Sequence, residues 1–163
     1  MRKKNFGFTL IELLVVISVI GLLAALIMVN FNAARERARD VQRKSDLDQI
    51  KKALRMYYND KNSYPSGADK ICGCTEPTCT TFAWGQGSFK CSDDMVYMKL
   101  LPQDPAYQSD IGTPTYKYQE VTGNQDFCLW ATLENKSDGD ITKSKTRCSG
   151  CSVGANDYVV CAD

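Results

Sequence analysis

The sequence predicts an α+β fold: one long N-terminal α-helix, apolar in its first half and amphipathic in its second, packed on a small antiparallel β-sheet with disulfide-stapled loops. Three observations carry this expectation. From Phe8 to Val29 there are 22 residues, of which Glu12 alone is ionisable. Between Gly21 and Pro65 there is neither Gly nor Pro, so nothing breaks a helix that starts in the apolar run. The last part of the chain holds segments of alternating hydrophobicity, and all eight cysteines follow residue 71.

The apolar run comes first. Its 22 residues span about 33 Å as a helix, enough to cross a bilayer core of roughly 30 Å. Arg2-Lys3-Lys4 looks like the basic start of a secretory signal, but the run is too long for one and has no A-x-A cleavage site. A membrane anchor left in place is the plain alternative. Arg35, Arg37, Arg39, Arg43 and Lys44 follow on the other side, so positive charge leaves the orientation open. Neither reading accounts for Glu12, since a charge at the centre of a membrane helix costs roughly 2.5–3.5 kcal/mol.

Beyond the run the helix continues to about residue 62. Leu47, Ile50, Leu54 and Tyr57 follow 3-4-3 spacing with Ala53 beside them, which predicts one face on a core. Glu36 with Arg39 and Arg43, and Asp40 with Lys44, are charged neighbours suited to a solvated face or a contact between subunits. The mixed signs argue against a DNA-binding strip. The stop falls in "NDKNSYP", where turn residues precede Pro65.

From Ser66 to about Asp110 the chain is rich in turns, with an apolar patch at Met95–Leu101 expected to form a short helix or an irregular packing layer. Then come strand-like Thr115–Val121, a "TGNQ" turn and Asp126–Glu134, which alternates Phe127, Leu129, Ala131 and Leu133 on one face with Cys128, Trp130 and Thr132 on the other. Asp157–Asp163 reads as a third strand.

Composition narrows the function. The chain has 163 residues and a net charge of +1, which gives no general pull toward nucleic acid or acidic lipid. It has no histidine, which removes His-based acid–base catalysis, His metal ligation and CxxCH haem attachment. Cys72, Cys74, Cys79, Cys91, Cys128, Cys148, Cys151 and Cys161 are read as four structural disulfides in an oxidising compartment. A bridge contributes about 2–4 kcal/mol, which matters where loops outnumber core strands. The alternatives are a thiolate zinc site and a redox pair at Cys148-Ser-Gly-Cys151. Asn135, Asp138 and Asp140 lie in a polar segment with oxygen ligands suited to calcium, although a solvated turn is the simpler reading. No other cofactor is expected, and the eight tyrosines are assigned to core and interface packing.

The stretch "KKNFGFTLIELLVVISVIGLLAAL" resembles the N-terminus of type IV prepilins and of the pseudopilins of type II secretion. "LPQDPAY" is similar to the segment before the sheet in the same proteins. The resemblance implies the pilin fold, no enzymatic activity, and three regions: a leader at 1–7, a membrane-spanning and filament-core helix at 8–30, and a head at 31–163. Carried over, Gly7 precedes the cut made by the prepilin peptidase, Phe8 becomes the N-methylated N-terminus, and Glu12 is the carboxylate needed for assembly. The implied partners are further copies of the chain, that peptidase, the membrane before assembly, and a membrane assembly platform. Many pilins carry a proline where this chain has Val29, eight residues after Gly21, so unwinding of that stretch in a filament is less assured here. The functions implied are the main or an abundant subunit of a type IV pilus, exposed at the cell surface. The alternative is a pseudopilin of a secretion or DNA-uptake machine. A membrane-tethered thiol oxidoreductase is the reading from a different class.

Overall fold

Uninterrupted helix formers produce α1, Leu10–Lys61, a single helix of 52 residues. The computed structural model describes residues 8–67, 71–72, 81–82, 84–85, 87–91, 95–107, 116–121 and 123–162, leaving out the side chains of 26–30, 72 and 81–82. α1 passes through Gly21 and Val29 without a break. The chain forms two compact units, one ending at Glu36 and the other starting at Arg37. In the first, the side chains described from Phe8 to Ala25 are exposed around the whole helix.

The second unit is the head. Leu47, Ile50, Ala53, Leu54 and Tyr57 of α1 are all buried in its core, as their spacing predicts. α1 ends where Asn62 turns left-handed, at φ 54°, with its N–H still donating to the Tyr58 carbonyl at 2.8 Å. Asparagine tolerates this conformation better than most residues and closes helices in place of glycine.

Strands β1 (Ile71–Cys72) and β2 (Thr81–Phe82) form one small antiparallel pair, and β3 (Phe89–Lys90) with β4 (Val96–Met98) forms a second. The Met95–Leu101 patch is therefore extended rather than helical. Val96, Tyr97 and Met98 favour a pleated strand, and Tyr97 points inward against Phe89 and Tyr57, with ring centroids 5.3 and 5.2 Å apart. The main sheet has three antiparallel strands in the order β5 (Lys117–Val121), β6 (Asp126–Thr132), β7 (Asp157–Cys161). Phe127, Leu129 and Ala131 of β6 face the core that α1 covers, and Leu133 just beyond is buried too. The opposite face carries Trp130, which packs against a second cluster of Cys148, Val159 and Cys161, and the buried Cys128. The predicted alternation is thus realised residue by residue.

The β5–β6 turn also holds the end of α1. Gly123 and Asn124 have φ of 62° and 66°, the left-handed conformations that tight hairpins need. That geometry aims the Asn124 carbonyl at the Tyr64 N–H (2.7 Å) and its amide at the Tyr64 carbonyl (3.0 Å). One departure is larger. The polar segment that holds Asn135, Asp138 and Asp140, read as a loop, runs into a helix, α2 (Gly139–Arg147). Asp138 caps it by accepting the Asp140 N–H at 2.9 Å, and Ile141 and Ser144 are its buried residues. With so few apolar positions there was no periodicity to read. The cap carries the signal instead.

Candidate functional site

Helix α1 begins immediately after Thr9, and its first N–H groups have no partner inside the helix. Thr9 and Glu12 satisfy two of these groups reciprocally. The Thr9 N–H and hydroxyl donate to Glu12 Oε2 at 2.9 and 2.7 Å, and the Glu12 N–H approaches Thr9 Oγ1 at 3.3 Å. This is a capping box, and T-x-x-E is its sequence signature. Glu12, the one ionisable residue of the run, therefore has a partner on its own chain. Both side-chain bonds fall on Oε2. Gly7 lies outside the described residues. Phe8 is 86% exposed, as Leu10, Ile11 and Leu13 are in large part. A helix that is apolar all round is one that another apolar environment covers.

Among the described residues no helix is long and apolar enough to cross a membrane. The described apolar stretch from Leu10 to Ala25, before the side chains of 26–30 that are left out, is sixteen residues, or about 24 Å of helix against a core of roughly 30 Å. The sequence itself stays apolar to Val29.

In the head, the charges of α1 turn inward instead of lying in solvent. Arg43 is fully buried. Its Nε and Nη2 form a fork on the Asp104 carboxylate at 2.8 and 2.9 Å, while Nη1 reaches Asp40 at 2.7 Å and Glu134 at 2.8 Å. Arg39 pairs with the same Glu134. Asp40 in turn accepts the backbone N–H groups of Glu134 and Asn135 at 3.0 and 2.8 Å. The helix-spaced pairs expected from sequence thus give way to partners 61 and about 95 positions away. Burial drives this, because Arg43 removed from water needs every donor satisfied. Among the described residues no buried side-chain nitrogen or oxygen lacks a partner. Lys44 behaves likewise, donating to Asp138 and Asp140 at 2.8 Å each instead of to Asp40. Asp46, nearly buried, accepts the Tyr116 hydroxyl at 2.5 Å.

These environments set an acid dependence. Hydrogen bonds from Arg39, with further help from Arg43, lower the Glu134 pKa to about 2 from its ordinary 4.5. A depressed carboxylate stabilises the fold above its unfolded pKa and loses that contribution as pH falls through the folded one. The window for Glu134 is therefore from about pH 4.5 down to about 2. Asp46 has the opposite sign, since burial raises its pKa and protonation favours the fold. In urea unfolding of the full chain, the midpoint is expected to fall across the Glu134 window. Glu134→Gln should lower it at neutral pH and flatten that slope, and an unchanged slope would count against the assignment.

The sulfurs occupy structural positions. Cys128 on β6 bonds to Cys151, and Cys148, at the end of α2, bonds to Cys161 on β7. Cys128 and Cys161 lie opposite each other in the β6–β7 register, yet each reaches across to the connection after α2. The Cys148–Cys151 spacing is therefore not a redox pair, because its two sulfurs staple that connection to two different strands. Cys91 is also disulfide-bonded. Cys74, Cys79 and the side chain of Cys72 lie outside the described residues, as does any pairing among them. Among the described residues no group of three or more His, Cys, Asp or Glu is placed to hold a metal ion.

Comparison with known proteins agrees with this geometry. The family described as "Prokaryotic N-terminal methylation motif" matches residues 2–28. Type II secretion system core protein G of Aeromonas hydrophila is 36% identical over 107 residues, covering 64% of this chain and 69% of that protein. The Escherichia coli K12 protein of the same description is 35% identical over 103 residues, covering 63% and 67%. Type IV wide pilus major component PilA4 of Thermus thermophilus is 50% identical over 66 residues, covering 40% and 50%. No solved structure gives a significant match. A methylation-motif N-terminus, a long helix packed on an antiparallel sheet and these relatives together place the chain in the family of type IV pilins and type II secretion pseudopilins, whose members are structural subunits and not enzymes.

Proposed function

We propose that this chain is the repeating subunit of a thin helical filament, held in the membrane by residues 8–30 until it polymerises. Prepilin peptidase removes residues 1–7 after Gly7, Phe8 is N-methylated, and copies then pack through their apolar helices. The observation that carries the reading is the Phe8–Glu12 end of α1. It is a helix exposed and apolar on every side, with one carboxylate held by Thr9 through Oε2. That leaves Oε1 to accept the terminal amine of Phe8 from a neighbouring copy. An unpaired charge in a filament core is heavily penalised and a paired one is tolerated, so only one stagger between neighbours satisfies both groups.

The pseudopilin role is favoured over the pilus role by how far the matches extend. Those to core protein G run over 103 and 107 residues, and the match to the pilus component runs over 66. The pilus reading rests on the higher identity, 50%, of that shorter match. Deleting the chain in its source organism separates the two. Loss of exported proteins from the medium with surface filaments intact supports the pseudopilin role, and loss of surface filaments with export intact supports the pilus. A deletion that leaves both unchanged would contradict the proposal.

A further inference from the structure

The polar segment around Asp138 has the oxygen ligands that suit calcium, and the structure shows what those oxygens already hold. Asp138 Oδ2 and Asp140 Oδ2 each accept Lys44 Nζ at 2.8 Å. Asp138 Oδ1 is taken by the Asp140 N–H and Asn135 Oδ1 by the Ser137 N–H. On the other side of α2, Lys145 Nζ donates to the carbonyls of Gly154 and Ala155 at 2.7 and 2.6 Å. Asp157 accepts the Thr132 hydroxyl with one oxygen and the Gly154 N–H with the other. Calcium needs six to eight oxygens around one point. Asp140 Oδ1 faces Lys143 Nζ at 3.5 Å, so the oxygens are divided among three ammonium groups, a hydroxyl and the local backbone, and the residues present do not fit that ion.

We infer that the Lys44 ammonium, with that of Lys145, is the built-in cation of the C-terminal region, so that the segment around α2 folds without a divalent ion. Lys44 is well placed for this. It projects from α1, a long helix, and its ammonium lies 5.5 Å from the centre of the Tyr158 ring on β7. Burial alone would lower its pKa, and the bonds to Asp138 and Asp140 outweigh that, so it stays charged. The ammonium ties two carboxylates at the start of α2 to the helix that carries the core. A divalent ion in the same role would need ligands converging on one point, whereas a lysine needs only a stem of the right length. The inference does not depend on which filament the subunit builds.

Thermal unfolding of the full chain in detergent, followed by near-UV circular dichroism, tests it. The wild-type Tm is expected to be the same within about 1 °C in millimolar calcium chloride and in EDTA. Lys44→Met should lower Tm by about 3–8 °C, the range set by the head's size and the loss of one bridging cation. Adding Asp138→Asn and Asp140→Asn to Lys44→Met should recover part of that loss, because the carboxylates left facing each other are removed. A wild-type Tm that rises several degrees in calcium would overturn the inference. So would a Lys44→Met chain that melts at the wild-type temperature.

Discussion

Replacing Glu12 by Leu is expected to abolish filaments while leaving the head folded and the processed subunit accumulating in the membrane. The substitution makes the helix more apolar, hence at least as well retained by lipid. It removes two things at once: the capping bonds with Thr9 and the charge proposed to receive the Phe8 amine of a neighbour. Losing the cap costs about 1 kcal/mol of local helix stability. Burying the partner amine without its counter-charge costs several kcal/mol. The second effect should dominate, and two further variants separate them. Glu12→Gln keeps a side chain able to complete the capping box but carries no charge, so it should fail nearly as badly as Leu. Thr9→Val removes the hydroxyl and keeps the charge, so it should assemble at reduced yield. Sheared-filament yield against membrane-bound subunit, measured for all three, decides the matter. Glu12→Gln filaments at normal yield would show that the cap, not the charge, is what assembly uses.

Arg43→Met should produce the largest loss of stability in the head. Arg43 is fully buried and binds Asp40, Asp104 and Glu134 at once. Removing it strands Asp40 and Asp104, both nearly buried, without their cation. Breaking one side of a buried pair costs roughly 3–5 kcal/mol, a fall in Tm on the order of 10–20 °C for a domain of this size. Arg43→Lys should fall between, since an ammonium keeps the charge but cannot make the planar fork on Asp104. Pairing Arg43→Met with Asp104→Asn should recover part of the loss. Denaturation midpoints of the wild type, Arg43→Met, Asp104→Asn and the double variant form a cycle, and a loss under about 1 kcal/mol for Arg43→Met would mean the network is incidental.

That network is also where reading the sequence reached its end. Periodicity located the core face of α1, from Leu47 to Tyr57, and the inward face of β6, because a repeat of 3.6 or of 2 is a local property. The stop at Asn62 and the "TGNQ" hairpin followed from turn chemistry, which is local too. The fate of Asp40, Arg43 and Lys44 is not local. Neighbours at helical spacing offered each of them a partner, and Arg43 keeps one in Asp40, but only the fold shows that Asp104, Glu134, Asp138 and Asp140 also come within 2.8 Å of these cations. Helix α2 is not legible in the sequence for a related reason. Its sole strong apolar contact is Ile141, so its evidence lay in the cap at Asp138 and in disulfides that hold both strands to the connection behind it. At the N-terminus Thr9-x-x-Glu12 is a capping-box signature wholly local in sequence, and it ties the carboxylate to the neighbouring hydroxyl.

The most direct measurement is a filament structure at side-chain resolution, determined from filaments purified from the source organism. The account predicts a chain that begins at a methylated Phe8, whose amine lies within about 4 Å of the Glu12 carboxylate of an adjacent copy while Thr9 still holds Oε2. Filaments in which residues 1–7 are retained, or in which the Phe8 amine and every neighbouring Glu12 are separated by more than a Debye length of about 8 Å, would contradict it.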